Sequence, residues 1–537
     1  MNWKFATVSL LLVLSLLNPA AIADDRLLEA AMQAYQQKDY AKSADLFARA
    51  FESGEPDAAD LYNAACSSAL AGRVAAAAAL LERSIQAGYS GWEHLERDSD
   101  LDAVHAHPRW PSIVAAAKRN AERDARLWDS PALNVPWAEN LPAEVKIAGL
   151  SRLWSEVRYN FANFDLVPEL DWDAVYLEAI PRVIASQSTL DYYRVLQETI
   201  ARLRDGHSNV WPPMAQIDRV LGRPALRTRL IDGSVIVVRV AAELPLNVGD
   251  EVLAVDGMPV HEWARTRVRP WQSASTPQDL DARTYDSMLL AGDVGTGVRL
   301  SVRKLDGRSV DIDVPRLGLE NRNAAMRLPP FELRMLPGGI AHVILNSFDS
   351  DQAARDFESH RDEILGARGV IFDVRENGGG NSSVGHRILE HFNAEERVVS
   401  RWTTRQYRAA YRAWKRPHGV AGGAVSLAAS ASPYKRPVVL LTSARTYSAA
   451  EDFAVAFRAI GAGRIVGETT GGSTGQPVSF SLPGGGTARV CAKRDTFADG
   501  TEFVGVGVKP DVVVEPQRTD IAAGRDRVLE KAIAMIE

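Results

Sequence analysis

Pro437-Val438-Val439-Leu440-Leu441-Thr442-Ser443-Ala444-Arg445-Thr446-Tyr447-Ser448-Ala449-Ala450-Glu451-Asp452-Phe453 is the stretch around which the 537-residue chain reads. Its first half is a short run of branched apolar residues, the pattern of a buried strand. Beyond it, Phe453, Ala456, Phe457 and Ile460 fall at helical spacing, and Gly461 and Gly463 provide the stop. Ser448 therefore stands at a strand-to-helix turn, held at a sheet edge with helix amides directed toward it. That position suits a nucleophile, and it equally suits a serine that only caps the helix. Spacing alone leaves both readings open.

Hydrophobic residues at 46% and charged residues at 24% are ordinary for a globular chain, and the length allows several cores. The net charge of −6 carries no long block of one sign, so nothing argues for nucleic acid or an anionic membrane as partner. Lys4, the apolar run Phe5–Leu17, Pro19 and Ala21-Ile22-Ala23 before Asp24 predict a signal peptide over residues 1–23. The expected product is an exported chain, periplasmic or secreted, with no transmembrane span. Cys66 and Cys491 read as buried free thiols, with a disulfide open in an oxidising compartment. No Cys-x-x-Cys or His-Glu-x-x-His occurs, so neither metal nor cofactor is expected.

Residues 24–120 contain a repeat of paired helices. Tyr40, Ser43, Phe47 and Ala50 recur 34 positions later (74 − 40) as Val74, Ala77, Leu81 and Ser84, the tetratricopeptide period. Trp92 through Lys118 reads as a degenerate third unit or cap. Such a stack predicts a groove for a protein partner, or a purely structural cap. Pro131, Pro136 and Pro142 mark a linker over 121–142. Residues 143–214 read as helices, the last ending at Arg204-Asp205-Gly206-His207-Ser208. His207 at a glycine-marked helix end suits a C-cap as well as a catalyst. Residues 215–316 change to short strands and turns, with Gly249 through Val260, Gly297–Arg303 and Val310–Val314 phrased like a PDZ-like domain, which adds a peptide to a sheet edge. From 317 to 537 strands and helices alternate. Val370–Arg375 runs into Glu376-Asn377-Gly378-Gly379-Gly380, and Ile465–Glu468, Val478–Leu482, Thr487–Ala492 and Gly505–Val514 read as further strands before a last helix, Asp526–Ile536. A glycine run after a strand lets backbone amides approach an anion, although most such runs are only turns.

Four segments in this order resemble the C-terminal processing peptidase family, in its tricorn-core-like branch: Asp205-Gly206-His207; Asp373-Val374-Arg375 through Gly380; Tyr447-Ser448-Ala449-Ala450-Glu451; and Gly507-Val508-Lys509-Pro510-Asp511. The resemblance spans residues ~140–537. Together with the N-terminal helical repeats, it implies an α/β multidomain protein with a helical segment, a small PDZ-like β domain and a catalytic core of ClpP/crotonase-like fold. It also implies a serine-type peptidase, a hydrolase acting on peptide or protein substrates. One branch of the family activates its serine with a lysine about 25 residues downstream, and here that region reads Thr469-Thr470-Gly471-Gly472-Ser473-Thr474-Gly475, without lysine. The other branch uses the histidine of Asp-Gly-His, so the resemblance assigns Ser448 as nucleophile and His207 as base. An imidazole near pKa 6–7 can take the hydroxyl proton and return it to the leaving amine. By the same analogy Glu502 is the orienting carboxylate, with Ser208 and Glu451 as supporting candidates. The oxyanion donors are the amide of Ala449 and one from Gly379 or Gly380, while Asp373, Arg375 and Asn377 hold the loop in shape.

Three rival readings stand beside this one. Gly471-Gly472-Ser473-Thr474-Gly475 matches the α/β-hydrolase elbow, but that fold needs a histidine after the serine and the last one is His418; Ser473 is then expected in a glycine-rich loop on the substrate side. Lys493 or Lys509 is an alternative base. A catalytically silent peptide- or ligand-binding scaffold on the same fold is the alternative from another class.

Overall fold

The computed structural model describes residues 19–52, 56–128 and 130–537, and residues 1–18 of the expected signal peptide lie outside the described residues. Two compact units divide at Pro131/Ala132. The first is helical. Helices Pro19–Gln36, Tyr40–Ala50, Ala58–Leu70 and Val74–Gln86 are followed by short turns and a long helix, Trp110–Trp128. Asp39 and Asp57 cap two of them by accepting from backbone amides one turn in. Small residues set the contacts, with the Ser43 hydroxyl on the Ala31 carbonyl at 2.8 Å and on the Ser67 hydroxyl at 2.9 Å. Phe47 is buried with Ala31 and Ala64, and Leu81 with Leu95, Leu101 and Val104.

The second unit is mixed α/β. Its central sheet runs in the order Val512–Val513, Arg464–Gly467, Val438–Thr442, Gly369–Asp373, Ile340–Leu345, Phe331–Leu336, parallel except for the last pair. Val438–Thr442 and Gly369–Asp373 are buried at every position, which explains their unbroken apolar reading. Parallel strands covered on both faces have no polar side to show. Phe348, Phe357, Phe372, Phe453 and Phe457 fill one face. On the other, Val528, Ala532 and Ile536 of the helix Arg527–Ile536 pack on Ile371, Val439 and Leu441. Three parallel strands therefore release their carboxyl ends on one edge, into the loops 374–380, 443–448 and 468–475. In open α/β sheets ligands bind at that edge.

Helices Ala143–Asn160, Trp172–Ala185 and Thr189–Ala201 share a core with an antiparallel sheet of Asn209–Trp211, Gly486–Cys491 and Pro477–Leu482. Val210 pairs with Ala488 there, tying the segment after His207 to the strands that follow Ser448. A β unit of Leu226–Ile231, Ser234–Val240, Glu251–Val255, Gly297–Arg303 and Ser309–Pro315 forms a separate antiparallel sheet. Between its third and fourth strands the chain makes helical turns, among them Pro277–Asp281. Arg397–Gln406 and Gly419–Leu427 form a long hairpin absent from the sequence reading. The strand expected over Gly505–Val514 is one only at Val512–Val513, because Gly505 and Gly507 adopt positive φ and turn the chain. Cys66 and Cys491 are buried free thiols. Among the described residues no helix is long and apolar enough to cross a membrane.

Candidate active site

Ser448 precedes the helix Ala449–Ala459 with φ 56° and ψ −126°. A β-carbon-bearing residue in that region costs of order 1–3 kcal/mol, so its surroundings must enforce it. They do so through the backbone. The Ser448 amide donates to the Ser473 carbonyl at 3.0 Å and lies 3.3 Å from the Glu451 carboxylate. Gly379, at φ 101°, presses on the same residue, and a β-carbon there would stand 2.6 Å from Cβ of Ser448. Only glycine lets the two loops close to this distance.

His207 follows the helix Thr189–Ala201 on a tight loop. Asp205 is buried, and its carboxylate accepts from the His207 amide at 3.0 Å, the Ser208 hydroxyl at 2.9 Å and the Asn163 amide group at 3.0 Å. Burial raises the Asp205 pKa, opposed by those donors. Gly206 donates to the Ser275 hydroxyl at 2.9 Å, and a β-carbon on it would meet the Tyr447 hydroxyl at 2.0 Å. The Tyr447 ring stacks on the imidazole at 5.1 Å between centroids and 8° between planes. Held on that surface, the ring puts Nε2 3.0 Å from Oγ of Ser448 and Nδ1 2.8 Å from Oγ of Ser473. Burial, with the Arg489, Arg283 and Lys493 cations nearby, pushes the imidazole pKa down to about 3. The resting ring is neutral, and one nitrogen is free to accept.

The structure thus brings Ser448 and His207 together across 241 residues, and departs from the sequence reading in two places. Glu502 does not reach the imidazole. It is exposed and pairs with Arg494 at 3.0 Å, because the chain turns back at Gly500 and sets Glu502 opposite Thr496. Ser473, expected on the substrate side, is instead fully buried on Nδ1. The Gly379 amide is taken by Oδ1 of Asn377 at 2.9 Å, whereas the amides of Ala449 and Gly380 meet no acceptor among the described residues.

The two supporting candidates lie one step away from the ring. Ser208 bonds Asp205 and accepts from the Cys491 amide at 3.1 Å, so it fastens the histidine loop to the sheet. Glu451 is buried and accepts from the Thr470 hydroxyl at 2.5 Å, the Gly472 amide at 2.7 Å and the Ser473 amide at 2.8 Å. Burial pushes its pKa up to about 8 against those donors. It fixes the loop that carries Ser473. Asn377 bridges the Gly379 amide and the Leu345 carbonyl, while Arg375 joins Asp373 to Asp526. These are loop-shaping contacts. Of the two lysines, Lys493 is bound to Asp495 at 2.8 Å and Lys509 is exposed. A cavity of about 610 Å³ opens beside this centre, with Asp205, Ser275, Thr276 and Gly505 among its walls; neither Ser448 nor His207 lines it.

A buried neutral histidine between two serine hydroxyls, beside free amides at a helix start, is an arrangement for acyl transfer. Residues 339–514 match the family model described as Peptidase family S41. Among solved structures, mature CPAF complexed with lactacystin aligns at a TM-score of 0.58 and 13% identity, over 73% of this chain and 97% of that one. Mature CPAF without that compound aligns at 0.55 and 15%, over 71% and 94%. At those identities the likeness is one of fold. The family match falls on the sheet and loops that carry Ser448, and it supports the C-terminal processing peptidase family and a serine peptidase hydrolase.

Proposed function

We propose that this chain is an exported peptidase that cleaves peptide bonds through an acyl-enzyme on Ser448, with His207 as general base. The observation that carries the reading is the pair of contacts at the imidazole, 3.0 Å to Ser448 and 2.8 Å to Ser473. Nδ1–H donates to Oγ of Ser473, which leaves the Nε2 lone pair facing the Ser448 hydroxyl. The serine oxygen attacks the scissile carbonyl as its proton passes to Nε2. The amides of Ala449 and Gly380 receive the oxyanion, and donors of this kind commonly contribute a few kcal/mol each. The imidazolium then lies among Arg283, Arg489 and Lys493, so it is a strong acid and readily protonates the leaving amine. Water enters by the same route to release the acyl group.

An exposed peptide or an unstructured protein end is the substrate this reading favours, passing the PDZ-like unit over residues 215–316. The tetratricopeptide-like region offers a surface for a protein partner. The first 23 residues direct export to the periplasm or the exterior. A fluorophosphonate probe tests the site. Labelling at Ser448 that disappears in His207→Ala is the expected result, and absence of labelling in folded wild type overturns the peptidase mechanism in favour of a silent scaffold.

A further inference from the structure

A second polar cavity, of about 260 Å³, lies where the β unit meets the catalytic core. Five arginines line it: Arg223, Arg227, Arg239, Arg322 and Arg445. Only two carboxylates share its walls, Asp286 and Glu376, which leaves three positive charges over (5 − 2). Glu376 is committed to a two-pronged pair with Arg227 at 2.5 and 2.7 Å, and stands 3.3 Å from Arg445. Arg445 also faces Asp286 at 3.7 Å. Arg223 has only the Ser287 carbonyl at 2.8 Å, and Arg223, Arg239 and Arg322 make no ion pair among the described residues. The buried Nε atoms of Arg223 and Arg322 meet no acceptor.

A buried guanidinium without a counter-charge is strongly disfavoured, and here several face one another. Burial and the neighbouring guanidiniums lower the pKa of Arg223 to about 9 and lower those of Arg239 and Arg322 as well. Guanidinium forks match the oxygens of phosphate and carboxylate groups two at a time. We infer that this cavity is a binding site for a small multivalent oxyanion of phosphate type, held by Arg223, Arg239 and Arg322. Its volume admits such an ion with a few waters, and its walls are largely donors. The position gives it leverage. Glu376 directly precedes Asn377, whose side chain shapes the Gly379 loop, and Arg445 stands three residues before Ser448 (448 − 445). The bound anion therefore sits against residues of two loops that shape the site around Ser448.

Thermal unfolding of the full chain in phosphate against chloride, at matched ionic strength and pH, tests the site. A ligand at about a hundredfold excess over its Kd raises the Tm of a unit this size by about 3 °C. Wild type is expected to show that rise, saturating with phosphate, and calorimetric titration with phosphate to give one site. Arg322→Gln and Arg239→Gln are expected to abolish the response while leaving the protein in chloride as stable as wild type or more so, since each removes an uncompensated cation. No saturable response in wild type overturns the proposal, as does a response that survives both substitutions. Equal loss of stability in both buffers also overturns it, because that marks a merely structural arginine. The binding readout stands apart from turnover, and so does not depend on the mechanism at Ser448.

Discussion

Ser473→Ala removes the hydroxyl on Nδ1 of His207 and leaves the rest of its loop intact. The Ser473 carbonyl still receives the Ser448 amide, and the Ser473 amide still reaches Glu451, because both contacts are backbone. What is lost is the acceptor 2.8 Å from a ring nitrogen in a fully buried place. An unsatisfied buried donor costs about 1–3 kcal/mol. At about 1.36 kcal/mol per decade, the cost spread over the transition state lowers kcat by roughly 5- to 150-fold. KM is expected to hold, since Ser473 touches the base rather than the substrate. The assay is steady-state hydrolysis of a fluorogenic peptide, with fluorophosphonate labelling rates and Tm recorded on the same samples. Ser208→Ala is the control, because its hydroxyl is adjacent in sequence to the histidine yet bonds Asp205 and the Cys491 amide. A Ser473→Ala enzyme with kcat within twofold of wild type refutes the orienting role. A fall in kcat no larger than that in Ser208→Ala, with an equal fall in Tm, refutes it too.

Glu502→Gln touches an exposed pair with Arg494. It is expected to change stability by less than about 0.5 kcal/mol and leave kcat/KM within about twofold; a loss of a hundredfold would restore Glu502 to the imidazole. The pH dependence of stability carries a signature of His207. Its folded pKa of about 3 lies below the unfolded value of about 6.5, so between those limits the unfolded chain takes the proton and the folded chain does not. Stability from this group is complete above about pH 6.5 and drains away as pH falls toward 3, of order 5 kcal/mol in full. Glu451, raised to about 8, acts in the opposite sense between its unfolded value near 4.5 and 8. The difference between wild type and His207→Gln in urea unfolding isolates the histidine: the variant's stability should fall less steeply on acidification from pH 6.5, and parallel curves would contradict the burial argument.

Much of the scaffold was legible because burial writes itself into composition. The strands Val438–Thr442 and Gly369–Asp373 are covered on both faces and so read as unbroken apolar runs. The hairpin Arg397–Gln406 with Gly419–Leu427 is mostly half-exposed, with three arginines in its first strand and three glycines in its second, and neither strand gives such a run. At the site, Ser448 and His207 could be named from ordered motifs, but the neighbour of Nδ1 could not. Glu502 follows only from the family resemblance, by its place shortly before Gly507-Val508-Lys509-Pro510-Asp511, and the turn at Gly500 sends its side chain to Arg494 instead. Ser473 sits in a loop whose glycines announce only that the backbone bends. One signal was available: the loop occupies the place, about 25 residues past the serine, where the other branch of the family keeps its lysine. A hydroxyl in that place lies within reach of whatever activates the nucleophile. Gly379 and Gly380 are equivalent on paper, and only the Asn377 side chain, by taking one amide, tells them apart.

The separation of Ser448 and His207 by a whole β unit also has a physical explanation. Both loops that orient the imidazole are fastened to one short helical segment of that unit. Ser275 accepts from the Gly206 amide beside the histidine, and Thr276 donates to the Gly471 carbonyl at 2.8 Å. Gln278 donates to the carbonyls of Thr470 and Val506, each at 3.0 Å. Arg283, paired with Asp279 at 2.7 Å, lies over the Tyr447 ring on which the imidazole stacks. The His207 loop and the Ser473 loop thus take their register from the same few residues. A shift of that segment moves the imidazole and its Ser473 neighbour at once, and it reaches Ser448 through the bond from the Ser448 amide to the Ser473 carbonyl. In the proposed mechanism, the chain between the two halves of the site is therefore part of the machinery that aligns the base with the nucleophile, and a displacement of the β unit reaches the proton transfer through both loops.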